Sequence, residues 1–136
     1  MDLELSVDIK SGSRYPIDRT KIREGIASVL KRHRLKGLVN VSVSIVGDRK
    51  MKEINKQYRN KDYSTDVLSF PTYDPTQPMD DGGFAHSEEA GLVLGDIIVS
   101  YPQAVKIASQ KGKFVHETIS DLIEHGLLHL MGIHHD

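Results

Sequence analysis

Cysteine is absent from this chain of 136 residues. A disulfide framework, thiolate metal sites and a thiol nucleophile are therefore excluded, and any metal must be held through nitrogen or oxygen. No apolar run approaches the roughly 20 residues that cross a bilayer. The start, Met1-Asp2-Leu3-Glu4, is acidic where a secretory signal carries positive charge. The expected location is the cytoplasm. What is present is ordinary for a globular protein, with 38% hydrophobic and 27% charged residues, and the length suits one domain with its own core.

The net charge of −1 conceals a division. Residues 1–61 hold 15 of the 18 Lys and Arg against 7 of the 19 Asp and Glu, a net of +8. Residues 62–136 hold 3 and 12, a net of −9. A basic half offers a polyanion a place to dock. On charge alone the plainer reading, solvated helix surfaces, is preferred.

Alternation of Leu3, Leu5, Val7 and Ile9 with polar residues predicts a half-buried strand, and Val39–Val46 predicts a second. Between them Asp18 is placed to cap a helix reaching about Leu35, with Ile22, Ile26, Val29 and Leu30 inward and Gly37 as its stop. Asp48 is expected to cap a short helix with Met51, Ile54 and Tyr58 on one face. Asp66–Pro71 reads as a short strand ended by proline, and residues 72–90, with Pro75, Pro78 and Asp80-Asp81-Gly82-Gly83, as a long surface loop. The apolar run Leu92–Val99 predicts a central strand covered on both faces. Ser100 and Pro102 open a helix closed by Gly112, and the last helix runs from about Phe114 to Leu130. The sum is a single α+β domain over residues 1–136, with about four strands in a mixed sheet and helices packed on it.

The C-terminal run His125-Gly126-Leu127-Leu128-His129-Leu130-Met131-Gly132-Ile133-His134-His135 carries the chemistry. Four residues of helix advance about 6 Å and 400°, which stacks His125 and His129 on one face. Gly132 permits a left-handed helix ending that swings His135 back toward them. Three neutral imidazoles leave a fourth tetrahedral position open, the pattern of a catalytic zinc site at the end of the C-terminal helix. His33, His86 and His116 are not expected as ligands. The spacing is that of the metzincin proteases, but those enzymes need a glutamate general base where this chain has Gly126. Glu124 points about 100° away around the helix. Asp121, one turn before His125, fits either a hydrogen-bond partner of a ligand imidazole or the polar rim of the helix.

This run resembles the signature of the YbeY family of rRNA-maturation endoribonucleases, His-Gly-x-Leu-His-Leu-x-Gly-Tyr-Asp-His, with Ile133 for the Tyr and His134 for the Asp. Two further segments are similar to family hallmarks: Ile54-Asn55-Lys56-Gln57-Tyr58-Arg59 leading to Thr65-Asp66-Val67-Leu68-Ser69-Phe70-Pro71, and Leu94-Gly95-Asp96-Ile97. The likeness covers most of residues 50–136 and is weaker over residues 1–48. It implies a compact α+β domain with one divalent metal, zinc, held by His125, His129 and His135 at one end of a cleft. It implies single-strand-specific RNA cleavage in small-subunit rRNA maturation and ribosome quality control, with precursor rRNA and small-subunit ribosomal proteins as partners and a monomer as the favoured state. The family's functional arginine falls on Arg59, read as catalytic and, with Lys61, as substrate-binding. Without the resemblance, Arg59 is one more cation at a helix C-terminus. Asp66, Ser69 and Asp96 are expected to orient the cleft or cap local backbone groups rather than to act in catalysis. With aromatic residues at only 6%, little sequence specificity is expected from base stacking. Two rivals stand beside this reading: a metallopeptidase-like hydrolase, and a non-catalytic ribosome-assembly factor whose metal is structural.

Overall fold

A computed structural model describes residues 2–72, 86–87 and 91–133. Strand β1 (Leu3–Ser11) turns Leu3, Leu5, Val7 and Ile9 to one side, as the alternation requires, and pairs in parallel with β2 (Gly37–Val46) in the register Leu5 to Val39 and Ile9 to Val43. The connection is helix α1 (Arg19–Arg32), whose N-cap Asp18 accepts from the backbone N–H of Lys21. Its buried face is Ile22, Ile26, Val29 and Leu30, the expected set.

Helix α1 stops about one turn before the expected Leu35. Arg34 takes a left-handed φ of 62°, its N–H bonds to the carbonyl of Lys31, and the N–H of Leu35 reaches back to Leu30. This is the glycine-type helix ending with an arginine in the strained place. The return lets Leu35 pack against the core, and Gly37 opens β2 rather than ending α1.

Helix α2 (Asp48–Arg59) differs in its inward face. Met51 is buried, but Asn55 holds the second inward position and Tyr58 is 63% exposed. Asn55 is buried because its Nδ2 donates to the carbonyl of Tyr63 at 2.8 Å, tying the segment after the helix back against it. Asp48 begins the helix rather than capping it, and Gly47 occupies the cap position with no side chain to offer.

Strand β3 (Val67–Pro71) runs antiparallel to β5 (Gly91–Ser100), which is parallel to β2 on its other side. The main sheet order is β1-β2-β5-β3, with β5 central as its apolar run predicts. A two-residue strand β4 (His86–Ser87) also pairs with β5, inside a segment expected to be loop. Two residues carry no readable period. Apart from β4 and Thr72, that loop lies outside the described residues.

The register slips between Asn40 and Val41 opposite Leu94-Gly95. A Cβ on Gly95, at φ 142°, would lie 2.2 Å from the carbonyl oxygen of Phe70. Glycine there lets β3 approach β5 closely enough to pair. Helix α3 (Tyr101–Lys111) starts at Ser100, whose hydroxyl accepts from Gln103 N–H, and ends at Gly112 with φ 64°.

Helix α4 (Val115–Leu130) lies with α1 on one face of the sheet. The core is the layer between them, including Val39, Val43, Ile97, Val99, Ile26, Leu30, Leu127 and Leu130, all at most 1% exposed. Each such side chain contributes roughly 1.5–3 kcal/mol relative to exposure. On the opposite face, α2 buries Met51 and Leu68. Beyond it Ser6, Asp8, Asn40, Ser42 and Asp96 line a small polar hollow. Among the described residues, no helix is long and apolar enough to cross a membrane.

Candidate active site

Helix α4 presents its histidines because of how it meets the sheet. A Cβ on Gly126 would lie 3.0 Å from Ile97 Cγ2, so the helix packs closely on β5 at this point, with Leu127 inward and His125 outward. His125 and His129, one turn apart and both exposed, open into one cleft of about 630 Å³. Its other walls include Arg59 at the end of α2, Asp66 and Ser69 around β3, and Asp121 one turn earlier on α4. The helix ends as its glycine predicts: Gly132 adopts φ 76°, its N–H bonds to the carbonyl of His129, and Ile133 N–H bonds to Leu128 at 2.8 Å. Ile133 packs against the core.

Ser69 takes the orienting alternative: its Oγ lies 2.8 Å from Nδ1 of His129. A hydroxyl at one ring nitrogen fixes the ring's orientation and directs the other nitrogen elsewhere. The sequence signal available is alternation in β3, which puts Ser69 on the face of Val67, beside Ile97 in the register.

Asp121 takes the polar-rim alternative: Lys113 Nζ donates to its carboxylate at 2.8 Å. That bond, together with the charge of Asp121, raises the ammonium pKa of Lys113. Asp66 lines the cleft, but its Oδ1 accepts from the N–H of Val67 at 2.7 Å, the structural role expected. Glu124 pairs with Arg32 of α1, on the side of α4 away from the histidines. His116 stacks on Phe114, with ring centroids 5.6 Å apart, and His33 caps α1; neither lines the cleft. The side chain of His86 lies outside the described residues.

Arg59 projects from the last turn of α2. The segment after that helix is held by Asn60 in a left-handed conformation, by Asn55, and by Asp48. Asp48 accepts from Ser64 at 2.9 Å, Ser100 at 3.0 Å and Gln103 at 3.1 Å. Partial burial pushes the Asp48 carboxyl up, but the bonds from Gln103, Ser64 and Ser100 and the nearby Lys106 outweigh it, and its pKa falls below the usual value of 3.8. Lys61 does not line the cleft; its Nζ sits 5.9 Å over the ring of Tyr63.

Two imidazoles and a guanidinium facing one space make a donor set for a cation beside a donor set for an anion. Among the described residues no three metal-binding side chains converge. His135, the third expected ligand, lies outside those residues.

The family model for endoribonuclease YbeY matches residues 8–136. The endoribonuclease YbeY of Roseiflexus castenholzii is 32% identical over 137 aligned residues, covering 99% of this chain and 82% of that protein. That of Alkaliphilus metalliredigens is 40% identical over 95 residues, 70% of this chain and 57% of the relative. The solution structure of TM1509 from Thermotoga maritima superposes with a TM-score of 0.58 at 24% identity over 96% of this chain and 75% of that one, which speaks for the fold. The matched span takes in the arginine at the end of α2, β3 and both histidines of α4, and on that evidence the chain belongs to the endoribonuclease YbeY family.

Proposed function

We propose that this chain is a zinc-dependent endoribonuclease that cuts single-stranded RNA in the cytoplasm, acting on precursor rRNA of the small ribosomal subunit and in ribosome quality control. The observation that carries the reading is the cleft shared by Arg59, His125 and His129. In this reading His135 completes the ligand set, the protein works as a monomer, and small-subunit ribosomal proteins help select the RNA.

The residues present suit zinc: imidazole nitrogens, with no cysteine anywhere in the chain. With Nε2 on the metal, Nδ1 of His129 would carry the proton and donate it to the Ser69 hydroxyl, 2.8 Å away. Bound there, the cation supplies Lewis acidity toward a phosphoryl oxygen. Arg59 offers a planar fork of donors that matches phosphate geometry and gains strength as negative charge builds on the phosphoryl oxygens. Lys61 lengthens the cationic track along the RNA backbone.

A metallopeptidase is disfavoured by packing as well as by sequence. The position that needs a glutamate is Gly126, whose missing side chain would point at Ile97, and Glu124 is engaged by Arg32.

The test uses the full chain without an affinity tag. Metal content should be about one zinc per chain, through three protein ligands. Unstructured RNA should be cut and structured RNA and casein spared, with cleavage lost in His129→Ala and Arg59→Ala. Cleavage surviving in both variants would overturn the reading, and a fourth protein ligand would turn it toward a structural metal.

A further inference from the structure

The chain has five tyrosines and three phenylalanines, too few for stacking to be expected as a recognition device. Their placement says otherwise. Phe70 lines the cleft. Tyr58, the residue before Arg59, lays its ring against Phe70 with centroids 5.3 Å apart and planes tilted by 56°. Tyr58 keeps 63% of its surface exposed and Tyr63 keeps 55%. Helical spacing assigns Tyr58 to the core, but Asn55 holds the inward position instead. A large ring is thus left in water against Phe70, a residue of the cleft wall, and forgoes the gain of burial. Phe70 supports it from behind, and Arg59 and Lys61 come one and three residues after it in the chain.

We propose that Tyr58, backed by Phe70, is a stacking shelf for a nucleobase next to the phosphate held at Arg59. The occupant is a nucleotide of a single strand, because only an unpaired base frees a ring face for an aromatic side chain. Such a shelf reads unpairedness rather than sequence, since every base has a π face. Arg59 and Lys61 supply the charge complementarity that a phosphodiester needs. A duplex keeps its bases stacked on each other and cannot use the shelf. The proposal rests on the single-stranded RNA reading above and names the group that enforces it.

The probe is a single-stranded oligonucleotide of about ten 2′-O-methyl nucleotides, which resists cleavage and falls within usual single-strand site sizes. Binding to the full chain is followed by anisotropy over a range of salt. Tyr58→Leu, which keeps an apolar side chain against Phe70, is expected to weaken binding at least about fivefold, from the known worth of one stacked base. Tyr58→Phe is expected to restore binding. Tyr58→Leu should leave the salt slope unchanged, because every cation that neutralises a phosphate stays in place, whereas Arg59→Ala should make it shallower. The chain has no tryptophan, so Tyr58→Trp gives it a single indole that is excited apart from the remaining tyrosines. Its fluorescence should be quenched by the oligonucleotide and not by an abasic strand of equal length. Equal affinity in Tyr58→Leu, or equal quenching by the abasic strand, would overturn the shelf alone. No binding of any strand by the unaltered chain would overturn the RNA reading with it.

Discussion

Three residues bear the site's geometry at the scale of single residues: Gly126, Ser69 and Asp48. At Gly126 a methyl would sit 3.0 Å from Ile97 Cγ2. Gly126→Ala should therefore destabilise the fold by roughly 1–3 kcal/mol, an overpacking cost measurable by urea unfolding. Ser69→Ala removes the bond to Nδ1 of His129. It should lower zinc affinity by about 10- to 100-fold in a competition titration while Ser69→Thr retains it. Asp48 carries a depressed carboxyl pKa in the folded state. Its contribution is fully present above the ordinary value of 3.8 and is lost as pH falls through the folded value. Asp48→Asn should accordingly flatten the acid limb of a stability-versus-pH curve below about pH 4, with the change read from thermal midpoints. Of these, Gly126 is legible in sequence only as the wrong residue for a protease, and Ser69 only as a strand position. Neither contact can be inferred from spacing along one element, because each is made between two.

Elements whose ends are set by local chemistry are legible in the sequence, and those set by tertiary demands are not. Gly132 and Gly112 take the left-handed conformation their residue type favours. Helix α1 ends at Arg34 in that same conformation, with the next residue, Leu35, packed against the core. No residue type advertises that. Arg34→Gly should relieve on the order of 1 kcal/mol of backbone strain and raise the melting temperature by a few degrees in calorimetry. The inward face of α2 escapes the sequence for a related reason. Burial of Asn55 depends on a carbonyl eight residues away, at Tyr63, whereas periodicity weighs only apolarity. The central place of strand β5 needs no such information, because its near-continuous apolar run predicts it. The expected cover on both faces is only partial: Asp96 is exposed and lines the polar hollow.

Across the whole molecule, the two helices on the sheet run in the same direction. Ile22 and Ile119, early in α1 and α4, line one groove, and Arg32, late in α1, pairs with Glu124. The basic end of α1, where Lys31, Arg34 and Lys36 border an open hollow, therefore lies toward the same end of the domain as His129. The +8 charge of residues 1–61 is thus carried in part to the end that bears the histidines. If that charge tracks RNA, replacing Lys31 and Lys36 together with alanine should weaken binding of all single strands alike. The salt slope should then fall by about 0.7 for each phosphate no longer neutralised, with the cleavage position unchanged. An unaltered slope would leave those lysines as solvated surface.

The seating of α4 on β5 has one more consequence. Gly126 rests on the Ile97 side chain, and Ile123, Leu127 and Leu130 of the same helix are buried in the core, so rolling α4 about its long axis would bring them into water. A roll of one residue's arc, about 100°, would carry His129 off Ser69. The angular setting of both imidazoles is thus indexed to the sheet itself. Directed evolution toward another metal or another ligand set should succeed by exchanging groups around the two histidines, and should stall wherever it needs the helix to turn.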